Sequence, residues 1–418
     1  MRRLAAIIAS LFGLAAAAIG DLADFSAPPP DHPAIEYFNY AKHPPADAVA
    51  ALNRRLSTGQ AQLRFEAGTG YLRSVLEALQ VPVDSQVVVF SRTSLQAPRI
   101  EPRNPRTIFF NDRVAVAWVS GGFMEAAAQD PEQGVIFYSL EQQSSRQPEF
   151  QRRDDCLRCH ISDISLGVPG MMVRSRYTAT DGRPLLIYGG FATDHRSPLS
   201  ERWGGWYVTG HAGSAHLGNA MLGDADGPED LTGRTPELQS LTLEFDTTRY
   251  LSAHSDVVAL LVFNHQLHMM NLLTRVGWDA RAALYKHRDV SSQIREGVRE
   301  MVDYLLFIDE AQLTGKIRGT SGFAESFPAR GPRDSKGRSL REFDLERRMF
   351  RYPCSYMIYS ETFDALPAEV RAEVYRRMWQ ILSGEEKGER YARLSAPDRR
   401  AIVEILRDTK KGLPEYFR

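Results

Sequence analysis

The sequence predicts an α+β fold, a β-rich N-terminal half followed by a helical C-terminal half. Three observations carry that expectation. Short runs of Val, Ile and aromatic residues, bounded by turn formers, crowd the stretch from residue 85 to residue 209. From residue 253 onward the apolar residues recur at helical spacing. Strands that precede helices, instead of alternating with them, argue against a parallel α/β sheet.

In chain order, helices are expected over 45–57 and 69–80, ahead of the strands. The strand-like runs are 85–91 (SQVVVFS), 107–111 (TIFFN), 114–119 (VAVAWV), 134–140 (GVIFYSL), 171–178, 185–191 and 203–209. Asp181-Gly182 sits between two of them as a hairpin turn. Long helices are expected over 253–276 and 290–312, then a mobile Gly/Arg/Lys-rich loop over 315–338. Helices over 339–350, 366–384 and 396–410 close the chain, with Pro367 and Pro397 in first turns and Ser395 as an N-cap. The division that follows is a leader over 1–20, a β-rich region over 21–252 and a helical region over 253–418 packed against it.

The N-terminus reads as an export signal. Met1-Arg2-Arg3 is a basic start, Leu4 to Ile19 an apolar Ala-rich run, and Ala18-Ile19-Gly20 a small-residue cleavage site before Asp21. An uncleaved anchor is the alternative, although the run is short for a full span. Asp21 to Pro33 then reads as a flexible leader. A periplasmic protein with no membrane attachment after cleavage is expected. Lys plus Arg (51) nearly cancels Asp plus Glu (52), leaving a formal charge of -1 and no basic footprint for nucleic acid. Three cysteines are too few for a disulfide-stapled scaffold.

Two of those cysteines lie in Cys156-Leu157-Arg158-Cys159-His160, a C-x-x-C-H run. Thiols three residues apart reach the two vinyl groups of one haem, and the next histidine is held beneath the iron. With 3 cysteines and 10 histidines in 418 residues, such a run arises by chance about 5 times in 10,000 chains. Two rival readings use the same residues. A thioredoxin-like dithiol normally follows a buried strand, but Gln151-Arg152-Arg153-Asp154-Asp155 is not one. A zinc site needs a second ligand pair, for which only Cys354 and a distant histidine are on offer.

At this pentapeptide the chain resembles the c-type cytochromes, and in its size it resembles large periplasmic monohaem proteins with a cytochrome c domain. The resemblance covers only the motif and its surroundings. It implies one covalent haem c and its iron, thioethers at Cys156 and Cys159, and His160 as proximal ligand. Small cytochromes c are all-helical and carry the motif near the N-terminus, whereas here it lies mid-chain among strands.

Several residues compete for the sixth iron position. His265 and His268 share an expected helix face with His254, Val258, Leu261 and Leu272, a face that should point inward. They are candidate metal ligands, with hydrogen-bonded core histidines as the alternative. Met171 and Met172 follow Gly167-Val168-Pro169-Gly170, and a strand would turn one inward and the other outward. His211 and His216 flank a small-residue loop. Arg152, Arg153, Arg158, Arg174 and Arg176 are candidate partners for the haem propionates, and Cys354 reads as a small buried residue. Electron transfer with a periplasmic redox partner protein is the first functional reading. A haem-dependent oxidoreductase, peroxidase-like or small-oxyanion-reducing, with an open distal site is the second. A haem-based sensor is the third.

Overall fold

The computed structural model describes residues 42–223, 226–231 and 235–417, so the stretches expected to be an export signal and a flexible leader lie outside the described residues. The elements run α1 (Ala48–Ser57), α2 (Leu72–Leu79), β1 (Val87–Val89), β2 (Arg106–Phe110), β3 (Val114–Trp118), β4 (Met124–Asp130), β5 (Gly134–Leu140) and β6 (Gln151–Arg152). There follow α3 (Leu157–His160), β7 (Val173–Arg176), β8 (Gly190–Thr193) and β9 (Trp206–Tyr207). The chain then turns helical, with α4 (Val257–Tyr285), α5 (Val290–Leu305), α6 (Phe323–Ala329), α7 (Glu361–Asp364), α8 (Ala368–Ser383) and α9 (Ala396–Thr409). The α+β expectation holds: strands dominate the first half and helices the second.

Seven strands form one antiparallel sheet in the order β6-β5-β4-β3-β2-β1-β9, and β7 and β8 pair separately as a ribbon. The register fixes what each sheet face carries, because side chains alternate along a strand. Ile108, Ala117, Glu125 and Ser139 lie opposite one another on one face, which also carries Arg106, Phe110, Ala127 and Phe137. That face receives α4: Phe110 meets Phe263 at 4.8 Å, and Gln129 donates to Thr274 at 3.0 Å. The other face carries Tyr138, whose hydroxyl donates to Asp47 at 2.6 Å just before α1. The sheet is thus sandwiched between α1 and α2 on one side and α4 on the other.

Helix α4 is long and apolar enough to cross a membrane, but nearly all of its apolar stretch is buried within the protein. Each such Val, Leu or Phe gains roughly 1.5–3 kcal/mol by leaving water, so the helix has every reason to lie central. Helix α5 packs along α4, α8 along α5 and α9 on α8; the main apolar core runs from Val49 to Phe417, and Val88, Phe90, Tyr207, Leu241 and Phe245 form a smaller one.

Three sequence expectations need correction, and one strand was missed. Residues 339–350 form no helix. Asp344 accepts from the backbone of Glu346 and Arg347, Leu345 takes a positive φ of 59°, and Phe343 bridges back to Phe350. Residues 185–191 are not one strand: Pro184 precedes a single turn, Leu186–Tyr188, and pairing begins only at Gly190, after Gly189 at φ 70°. The expected loop over 315–338 contains α6 and is fixed by Asp256, which also caps α4. Its carboxylate accepts from Thr320 N at 2.6 Å and Ser321 N at 2.8 Å. Finally β4, sequence MEAAAQD, was not expected at all.

Candidate functional site

The C-x-x-C-H run begins where the sheet ends. Edge strand β6 pairs with β5 for two residues, Tyr138 with Arg152 and Ser139 with Gln151. The Arg153 amide then donates to Phe137 O at 2.8 Å, and a 3-10 turn (Asp154–Cys156) leads into the single helical turn α3. Leu157 and Ile161 anchor this turn in the core. Cys156, Cys159 and His160 are left half-buried, and both thiols are free.

The next ten residues build a cradle for the histidine. Leu166 and Gly167 reverse the chain at φ 61° and 70°, bringing Gly170 back against His160. The contact is reciprocal: Gly170 N donates to His160 O at 3.0 Å, and His160 Nδ1 lies 2.8 Å from Gly170 O. A carbonyl can only accept, so Nδ1 carries the proton and Nε2 carries the lone pair. No hydrogen bond engages Nε2 among the described residues. Helix α4 clamps the cradle from behind, with Asn271 donating to Met171 O at 2.8 Å and Arg275 to Leu166 O at 2.9 Å. Phe137 packs on the imidazole at 4.5 Å between ring centroids.

Burial lowers the pKa of His160 to about 4, with Arg106 and Arg174 opposing a positive charge there and the Gly170 bond partly offsetting them. The ring is therefore neutral at ordinary pH, as a metal-ligating imidazole must be. Burial raises the Cys156 thiol to about 12, assisted by Asp155 and Glu125. Reactive dithiols have lowered pKa values, so Cys156 has the opposite character to a disulfide-exchange nucleophile. Half-exposed thiols on one helical turn, beside a neutral imidazole with Nε2 available, are the donor set a thioether-linked haem requires.

The other expected ligands go elsewhere. His265 has both ring nitrogens engaged, Nδ1 with His195 Nδ1 and Nε2 with Ser355 Oγ, each at 2.7 Å. His268 Nε2 lies 3.0 Å from an Arg196 guanidinium nitrogen and 3.8 Å from Asp194. These groups stack with Tyr304 and Phe307 in a buried cluster of their own. In this arrangement both ring nitrogens of His265, expected as an iron ligand, are engaged in hydrogen bonds. His195, its partner, was missed; it comes from 70 residues earlier and no spacing signals it. His211 pairs with Glu237 at 2.7 Å, and His216 packs edge-on against Trp203 at 5.4 Å. Met171 is buried and Met172 half-buried, the inward and outward alternation of a strand approach. Both follow Gly170, which sits at the ring edge away from Nε2.

Of the expected propionate partners, Arg152 pairs with Asp154 at 2.8 Å, and Arg153 grips Asp155 with two bonds at 2.9 and 2.7 Å. Arg158 is exposed, and Arg174 lies near enough to His160 to act on its charge. Cys354 is fully buried beside Ser355 in the helical half. No protein-family model matches the chain, and no curated protein sequence or solved structure does so either.

Proposed function

We propose that this chain is a periplasmic monohaem c-type cytochrome that acts in electron transfer. Haem c is joined through Cys156 and Cys159, with Nε2 of His160 as the proximal iron ligand. When bound, the haem supplies one-electron exchange at its iron. The observation that carries the reading is the 2.8 Å contact from His160 Nδ1 to Gly170 O, which sets the tautomer and aims the ring. Metal-ligating histidines characteristically donate their second N–H to a carbonyl or carboxylate in this way. The half-exposed position of Cys156 and Cys159 at a sheet edge supports it further, since electrons pass readily to a partner protein only from near the surface.

A second reading, a haem-dependent oxidoreductase with an open distal position, is favoured by one specific finding. The histidines offered as sixth ligands are bonded or packed elsewhere. Absorption spectra of the reduced protein, made with haem-attachment machinery, separate the two. A spectrum unchanged by carbon monoxide fits a six-coordinate carrier; a rapid shift of the Soret band contradicts it and fits the open site.

A further inference from the structure

We propose that Arg106 is a carboxylate-binding residue that receives one haem propionate, and that Glu125 is the residue that positions it. The inference rests on the haem reading above and goes beyond it by assigning a binding residue far from the motif in sequence.

Strand register places the pair. Phe137, whose ring packs on His160, and Ser139, which lies 3.4 Å from Arg153, project from the same face of β5. Glu125 stands opposite Ser139 on β4, and Arg106 reaches across β3 from β2 to an ion pair with Glu125 at 2.5 Å. The sheet thus sets a guanidinium on the same face as Phe137, the ring that packs on the imidazole.

The pairing leaves Arg106 incompletely used. Its side chain is 21% exposed and that of Glu125 18%, so water reaches neither freely. Arg106 Nε is buried with no hydrogen-bond acceptor among the described residues, and Glu125 Oε2 meets the guanidinium off the hydrogen-bonding axis. Buried polar groups are nearly always satisfied, and an unsatisfied N–H on a charged group costs more than a neutral one. A guanidinium also offers donors in a planar array suited to a carboxylate. With one η nitrogen committed to Glu125, the Nε edge remains for a second carboxylate. A ligand tethered at Cys156 and Cys159 with its iron on His160 brings two.

The test uses full-length protein made with haem-attachment machinery, as wild type, Arg106→Gln, Arg106→Lys and Glu125→Gln. Covalent haem, reduction potential and the propionate bending band in resonance Raman spectra are measured on each. Arg106→Gln should retain covalent haem, lower the potential, because a positive charge favouring Fe(II) is lost, and shift the propionate band. Arg106→Lys should recover the potential but not the band, since it restores charge without the Nε donor. Glu125→Gln should shift the band less, and it serves if Arg106→Gln does not fold. A band unmoved in haem-loaded Arg106 and Glu125 variants overturns the assignment while leaving the haem reading intact. Wild type without covalent haem overturns both.

Discussion

His160 and Gly170, ten residues apart, close a reciprocal pair of hydrogen bonds: the glycine amide donates to the histidine carbonyl, and the imidazole Nδ1–H donates back to the glycine carbonyl at 2.8 Å. The hydrogen bonds that orient the ring thus come from the backbone, and its free nitrogen is Nε2. A Cβ on Gly170 would lie 2.2 Å from Asn271 Oδ1 and 2.8 Å from its Cγ, and Asn271 is itself bonded to Met171 O. Gly170→Ala should cost about 1–3 kcal/mol, the usual range for overpacking, and misalign the carbonyl. Urea unfolding measures the first effect; a loss below about 0.5 kcal/mol contradicts this account of the cradle.

His265 separates a structural role from an iron-ligating one. His265→Ala removes a buried ring and strands Ser355 and His195, so it should destabilise the protein by about 2–5 kcal/mol. The haem spectrum of the variant should match wild type. A changed Soret or α band in folded His265→Ala protein would restore His265 as a ligand.

The same cluster gives stability a pH dependence. Burial holds His195 well below its ordinary 6.5, His265 at about 3 and His268 at about 4. Below pH 6.5 the unfolded chain takes up protons that the folded chain refuses, so stability is full above 6.5 and declines as pH falls toward 4. Glu310, raised by burial to about 7 from 4.5, acts oppositely between those values and offsets one of the three histidines. The urea midpoint should therefore be lower at pH 5.0 than at pH 7.5, and the difference should shrink in His265→Phe. An equal or higher midpoint at pH 5.0 is incompatible with neutral buried histidines.

The β-rich half was readable where strands are rich in Val, Ile and Phe: 107–111 against Arg106–Phe110, 114–119 against Val114–Trp118, and 134–140 against Gly134–Leu140. Strand β4 was not, because Met-Glu-Ala-Ala-Ala-Gln-Asp has helical propensity that pairing with β3 and β5 overrides. Residues 339–350 erred in the other direction. Their helical composition yields to Arg341 stacking on Tyr356 at 4.3 Å and to the Phe343–Phe350 stack at 5.3 Å. At the site, the pentapeptide was legible because its chemistry is local in sequence. Gly170, Phe137, Glu125 and Arg106 were not, since sheet register and a chain reversal at Leu166-Gly167 bring them together. His265 and His268 were rightly placed on an inward face, but inward led to His195 and Ser355.

The proposed covalent haem at Cys156 and Cys159, with His160 beneath the iron, can be tested without assuming any activity. The most direct measurement is haem retention after denaturation, by in-gel peroxidase staining and intact mass, for wild type and Cys156→Ser/Cys159→Ser made with haem-attachment machinery. One haem should remain bound to the wild-type chain and none to the double variant. A wild-type chain that emerges without haem, or a double variant that retains it, contradicts the claim.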